Sequence, residues 1–254
     1  MRLFDRNHPG VISHHRGVVP QVLRGEPRII LDTGFTGGDT DISTDGTHVI
    51  EGITWTTASS SGALTSGVAG SDGLVLDWQQ NNQTFTMTTD LQASAGVAID
   101  RNSVICAFLS FEPIVMGNGC VAGLSLQQAS GGFTTEHDLR LALKNTPRWQ
   151  CTRRTSSGST IHYFGDNPIG GSLPSEASCM LWSTGFSARV SGNQSLALPE
   201  NRAHAASDNA TGELRTKTAA ITAAGTWPIR RYFSVYLWDT QTKVRLKHCR
   251  IWLQ

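Results

Sequence analysis

Apolar residues along this chain recur at every second position more often than at every third or fourth, the period of a strand rather than a helix. Leu139, Leu141 and Leu143 in DLRLALK show it best: the residues individually favour helices, but their spacing is that of a strand. Leu74, Leu76 and Trp78 alternate with Val75 and Asp77. Phe85 and Met87, with Leu91 beyond, alternate with threonines, as a half-buried strand requires. Asn81-Asn82 between these two runs predicts a hairpin turn. Val104 to Phe111 (VICAFLSF) is apolar on both faces and predicts a central sandwich strand. Two earlier strands are expected at Arg28 to Asp32 and His48 to Thr56, with loops over Gly34 to Gly46 and Ala58 to Gly73. The series continues with Val121 to Gln127, a hairpin of Trp149 to Arg154 and Thr160 to Phe164, then Cys179 to Trp182 and Phe186 to Val190. Tyr232 to Trp238 and Val244 to Leu253, joined around Asp239 to Thr242, close it, with the last strand expected inside a sheet. The alanine-rich stretch Glu200 to Gly225 is the one plausible place for a helix, interrupted by Asn209, Thr211 and Gly212.

About a dozen short strands with Gly, Asn and Ser turns predict an all-β fold: an antiparallel two-sheet sandwich of the jelly-roll kind. Residues 1–28 differ from the rest. Pro9, Pro20 and Pro27, with Gly10, Gly17 and Gly25, break any long element, while Val11-Ile12 and Val18-Val19 are apolar pairs foreign to a disordered tail. The expectation is an extended N-terminal arm over 1–28, with those four residues as contact candidates, and one β-sandwich domain over 29–254.

Composition narrows the function. With 21 basic and 20 acidic residues the net charge is +1, which lacks the positive field of a dedicated nucleic-acid binder. Charged residues make up only 16%, so exposed sheet edges need another form of protection, such as a stable neighbour. Residues Met1 to Gly10 carry no apolar signal region, and no run approaches the roughly 18 apolar residues of a membrane span. Cys106, Cys120, Cys151, Cys179 and Cys249 are odd in number and form no CxxC pair, which fits free thiols in a reducing compartment better than zinc. The sequons at Asn82, Asn193 and Asn209 carry no meaning without a secretion route.

Candidate chemistry is sparse. Asp39, Asp41 and Asp45, with Ser43 and Gly46, place oxygens at alternate loop positions and are calcium candidates, but position twelve counted from Asp41 is Gly52 rather than a closing glutamate. A solvated loop is the plainer reading, and no cofactor is expected. No strand carries a cluster of carboxylates, Glu51, Glu112 and Glu136 being isolated, and G-x-S-x-G and H-E-x-x-H are absent. The chain is therefore expected not to be an enzyme. His14-His15 would point to opposite sides of an extended segment and make a poor joint ligand. Of the seven tryptophans most sit in apolar strands and read as core. Trp149 and Trp227 each lie near a proline (Pro147, Pro228) and a basic residue, which suits a contact or sugar-stacking position.

The strand GLVLDW, the pair within RRTSSGSTIHYF, the stretch CMLWSTGFSARVSGN and the closing RYFSVYLWD and KVRLKHCRIWL together resemble the concanavalin-A-like, laminin-G-like jelly rolls over roughly residues 70 to 254. Val190-Ser191-Gly192-Asn193 departs from the aromatic-Val-Asn-Gly turn of those folds. The resemblance implies a fold, not a function. In composition the chain is similar to tailed-bacteriophage virion proteins: Gly/Ser/Thr-rich, β-rich, nearly neutral, with an N-terminal arm. That likeness implies a structural protein of a virion, a head decoration or a tail or fibre component, held to other virion proteins and to copies of itself. The alternative is a lectin-like module with a glycan as its partner.

Overall fold

The computed structural model describes residues 28–38, 41–60, 66–100, 103, 105–127, 139–145, 148–155, 158–164, 173, 176–183, 187–193, 207–208, 213–214, 216–220, 231–239 and 241–253. Two antiparallel sheets face each other. The first contains β1 (Arg28–Thr33), β4 (Ser66–Gly70), β5 (Gly73–Trp78), β7 (Ile105–Met116), β12 (Ala177–Ser183), β13 (Ser187–Asn193), β16 (Thr216–Ala220) and β18 (Thr242–Leu253), in the order β16-β13-β12-β7-β18-β5-β4. The second contains β2 (Gly46–Ile50), β3 (Ile53–Ser59), β6 (Thr84–Asp90), β8 (Val121–Gln127), β9 (Leu139–Lys144), β10 (Arg148–Thr155), β11 (Gly158–Phe164) and β17 (Tyr232–Trp238), in the order β11-β10-β9-β8-β17-β6-β3-β2. The fold is a jelly-roll sandwich. The arm expected over 1–28 lies outside the described residues except for Arg28, which opens β1.

β18 occupies the centre of the first sheet. It pairs with β7 along one side; on the other, Thr242 to Leu246 pair with β5 and Cys249 to Leu253 with β1. The core lies between the sheets. Leu76, Trp78, Leu109, Phe111, Leu246 and Ile251 enter it from the first sheet; Trp55, Phe85, Met87, Leu124, Phe233 and Val235 enter it from the second. Trp55 packs between Phe35, at 5.9 Å between ring centroids, and Phe233, at 6.2 Å. Trp55 and Trp78 are thus core residues, as expected of strand tryptophans.

Several local expectations change. The run His48 to Thr56 is two strands, because Glu51 (φ 48°) and Gly52 (φ 76°) both take left-handed backbone and form the tight turn of the β2–β3 hairpin. Glutamate seldom adopts that conformation. Here its carboxylate accepts hydrogen bonds from Thr33 Oγ1 (2.7 Å), Gly34 N (2.9 Å), Thr36 N (2.8 Å) and Thr36 Oγ1 (2.5 Å). Desolvation pushes its pKa up, but the bonds from Thr36 and Thr33 outweigh this and bring it down to about 2. The loop expected over Ala58 to Gly73 contains β4, paired with β5 through a turn at Gly73. Gly73 is needed there: its φ is 112° and a Cβ would sit 2.0 Å from Leu246 O.

Asn81-Asn82 does not close a hairpin. β5 and β6 lie in opposite sheets and meet across the core, Trp78 against Phe85 at 6.0 Å. The same holds for β7 and β8, and for β17 and β18. Glu200 to Gly225 holds short strands, β14 (Ser207–Asp208), β15 (Glu213–Leu214) and β16, in its described residues. The helix among the described residues is α1 (Leu91–Ala95), capped by Asp90 and ended by Gly96 at φ 60°.

Candidate functional site

Strand alternation sends Phe85, Met87, Leu124, Leu126, Phe233 and Val235 into the core, and so turns Thr84, Thr86, Thr88, Ser125, Gln127, Ser234 and Tyr236 to the outward face of the second sheet. Such a face is ordinarily wet. Here Thr86, Thr88, Ser125, Gln127, Ser234 and Tyr236 are all buried, so β6, β8 and β17 are enclosed on both sides.

The register aligns these side chains into rows. Thr56 of β3, Thr88 of β6, Ser234 of β17, Ser125 of β8 and Arg140 of β9 stand opposite one another across five strands. At about 4.8 Å per strand the row spans roughly 19 Å. In the next row Asp90, Tyr232 and Gln127 are aligned. The Thr88 and Ser234 hydroxyls bond each other at 2.6 Å. By contrast, Ser125 Oγ and both amide atoms of Gln127 are buried with no hydrogen-bond partner among the described residues. A buried amide left without partners costs about 1–3 kcal/mol, so it marks a place a ligand or trapped water completes.

The Thr56 end of the face is open. A cleft of about 470 Å³ lies there, lined by Thr54, Thr56, Thr88, Asp90, Tyr232 and Ser94 among others. Thr54 and Thr56 are exposed and Tyr232 half-buried. Asp90 organises this corner. Its Oδ1 accepts from Gln92 N (3.0 Å) and Ala93 N (3.2 Å), capping α1, and both carboxylate oxygens accept from Arg231. The hydrogen bond from Arg231 holds the Asp90 carboxyl below its ordinary pKa. Arg231 in turn lies over the Tyr232 ring at 5.5 Å, and Arg140 lies over Tyr236 at 5.9 Å. The corner presents hydroxyls and an aromatic ring fixed by an ion pair.

Of the residues singled out from sequence, Asp41 and Asp45 do not line the cleft. Asp41 Oδ1 accepts from Ser43 N at 2.9 Å within its own loop, and Asp45 Oδ2 accepts from Ser59 Oγ, at the end of β3, at 2.9 Å; Asp39 lies outside the described residues. Among the described residues no group of three or more His, Cys, Asp or Glu is placed to hold a metal. Trp149 is the second residue of β10, in register with Leu143 and Phe164, and its side chain lies outside the described residues. Trp227, Val11, Ile12, Val18 and Val19 also lie outside them. Cys106, Cys120, Cys179 and Cys249 are buried, and none of the four is in a disulfide. Sequence reasoning passed over Ser125, Gln127, Ser234 and Tyr232. The available signal was the polar alternation Thr84-Thr86-Thr88 and Ser125-Gln127, which reads equally as a solvated face.

No protein-family model matches the chain, and no curated protein matches it. Its architecture is that of the concanavalin-A-like jelly rolls, and solved structures show it directly. A non-specific endo-β-1,3(4)-glucanase from family GH16, crystallised with a glucose oligosaccharide, superposes at TM-score 0.54 with 10% identity, over 91% of this chain and 96% of that one. A glycosyl hydrolase family protein from Mycobacterium fortuitum gives 0.50 with 10% identity, over 88% and 99%. The CBM2 module of the Lactobacillus casei BL23 phage J-1 evolved Dit gives 0.51 with 8% identity, over 90% and 96%. At such identities the likeness is one of fold. It corrects the expectation that the chain is not an enzyme: that expectation rested on the lack of a linear carboxylate motif, yet the chain shares its scaffold with glycoside hydrolases. Sheet pairing brings residues of distant strands into one row, so a missing run along one strand does not exclude catalysis.

Proposed function

We propose that the chain is a carbohydrate-recognising jelly-roll protein working as a component of a bacteriophage virion, its glycan entering by the open cleft at the Thr56 end of the second sheet's outward face and reaching toward the buried polar rows. The carrying observation is the unpartnered Gln127 amide and Ser125 hydroxyl, buried in line with Tyr232, Thr88 and Thr56. Sugars offer what such a row lacks: hydroxyls that both donate and accept, and an apolar ring face that stacks on tyrosine. The shared fold supports this reading, since one similar structure is a glucanase holding an oligosaccharide and another is a carbohydrate-binding module of a phage Dit. The nearly neutral, Gly/Ser/Thr-rich composition supports the virion setting.

The test is a glycan array followed by titration of the hits against the full chain and its Gln127→Leu variant. Binding that the variant loses supports the proposal; an empty array overturns it. Release of reducing ends from a bound glycan assigns hydrolysis to the same face. The virion role is tested by light scattering of the full chain and of a chain lacking residues 1–27. A closed oligomer that falls apart without the arm supports assembly through it. Two monomers refute self-assembly.

A further inference from the structure

We infer that the cleft at the Thr56 end takes an uncharged sugar end of one or two rings and discriminates against acidic sugars. This rests on the carbohydrate reading above and adds the class of ligand. Pockets for small ligands run from about 300 to 1,000 Å³, and this one, at about 470 Å³, sits in the lower half of that range. Apart from Asp90 its lining is neutral: hydroxyls that include Thr54, Thr56 and Thr88, the ring of Tyr232, and an apolar wall with Ile30 and Ile53.

Charge in the cleft is arranged against a second anion. Asp90 is the ionised group of the lining, held in that form by Arg231 and two helix N–H groups. The guanidinium that would otherwise receive a sugar carboxylate is engaged by both oxygens of Asp90 and held over Tyr232. An acidic sugar stacked on Tyr232 therefore meets the Asp90 carboxylate with its counter-charge already committed. A neutral sugar brings no charge against that carboxylate and meets the hydroxyls, the ring and the apolar wall of Ile30 and Ile53.

The experiment is isothermal titration of the full chain with matched pairs: lactose against sialyllactose, and a glucose tetramer against a glucuronate tetramer. The expected result is binding of a neutral member and at least tenfold weaker binding of its acidic counterpart. Tyr232→Ala should weaken the neutral ligand tenfold or more. Asp90→Asn keeps a helix-capping side chain and removes the charge, so the neutral-to-acidic gap should close to within about threefold. Thermal melts confirm that both variants are folded. An acidic sugar bound as tightly as its neutral partner, or an unchanged gap in Asp90→Asn, overturns this inference and leaves the carbohydrate reading standing. No saccharide bound at all overturns both.

Discussion

Replacing Gln127 by methionine separates stability from recognition. The amide is fully buried, and neither its oxygen nor its nitrogen has a partner among the described residues. Leaving such a group unsatisfied costs about 1–3 kcal/mol, and removing it recovers most of that if the replacement fills the same space. Methionine is close in length and volume and adapts to irregular surroundings. Gln127→Met should therefore stabilise the free protein by about 1–2 kcal/mol, equivalent to a rise in Tm of roughly 2–6 °C for a chain of this size. The same change should weaken glycan binding about tenfold, the equivalent of 1.4 kcal/mol for one lost hydrogen bond. Urea unfolding gives the first quantity and calorimetric titration the second. A variant destabilised by more than about 1 kcal/mol would mean that the amide is already bonded in the free protein, and the reasoning that leads from it to a ligand would fail.

Glu51→Ala leaves four donors without their acceptor; after allowance for the exposure of the carboxylate the cost near pH 7 is about 1–2 kcal/mol, read by urea unfolding. Because the folded pKa is depressed from 4.5 to about 2, this stabilisation is complete above the unfolded value and fades as pH falls between those limits, so the gap between variant and wild type should narrow there. Asp90→Ala removes the cap of α1 at a cost of about 1 kcal/mol in the same assay, whereas Asp90→Asn retains most of the capping energy. Gly73→Ala should cost more than about 2 kcal/mol in thermal or urea unfolding, because the left-handed turn and the Leu246 carbonyl both exclude a Cβ.

Strand identity was legible wherever one face or both were apolar. The two-sided run of β7, the alternation in β5 and β9, and the hairpin of β10 and β11 all follow from spacing and turn residues. What spacing does not encode is sheet membership. Asn81-Asn82 announces a reversal of the chain, but whether the next strand pairs with the last or crosses the core depends on Trp78 and Phe85 meeting from opposite sides. The division between β2 and β3 was hidden because glutamate is a poor signal for a left-handed turn residue, and what holds Glu51 there is a loop 15 to 18 positions away. The candidate site was least visible. Threonines and serines at alternate positions read as a solvated surface, and only the pairing of β6, β17 and β8 shows Gln127, Ser125 and Ser234 to be enclosed. Of the calcium candidates, Asp41 and Asp45 sit in one loop as read, and the oxygens shown here accept from Ser43 of that loop and Ser59 of β3.

The central position of β18 sets a timetable for the molecule. Its contacts with β1 join residues 218 positions apart, as in the ion pair of Arg250 with Asp32, and its contacts with β5 and β7 are also long-range. During synthesis the first sheet cannot close until β18 has emerged, so β1, β5 and β7 wait with hydrogen-bonding edges open while every strand before β18 is made. Folding of such a topology is slow, and the waiting strands are the natural targets of chaperones and the natural seeds of aggregation. Yield in the cell then depends less on the stability of the finished sandwich than on how those edges are sheltered before the last strand arrives.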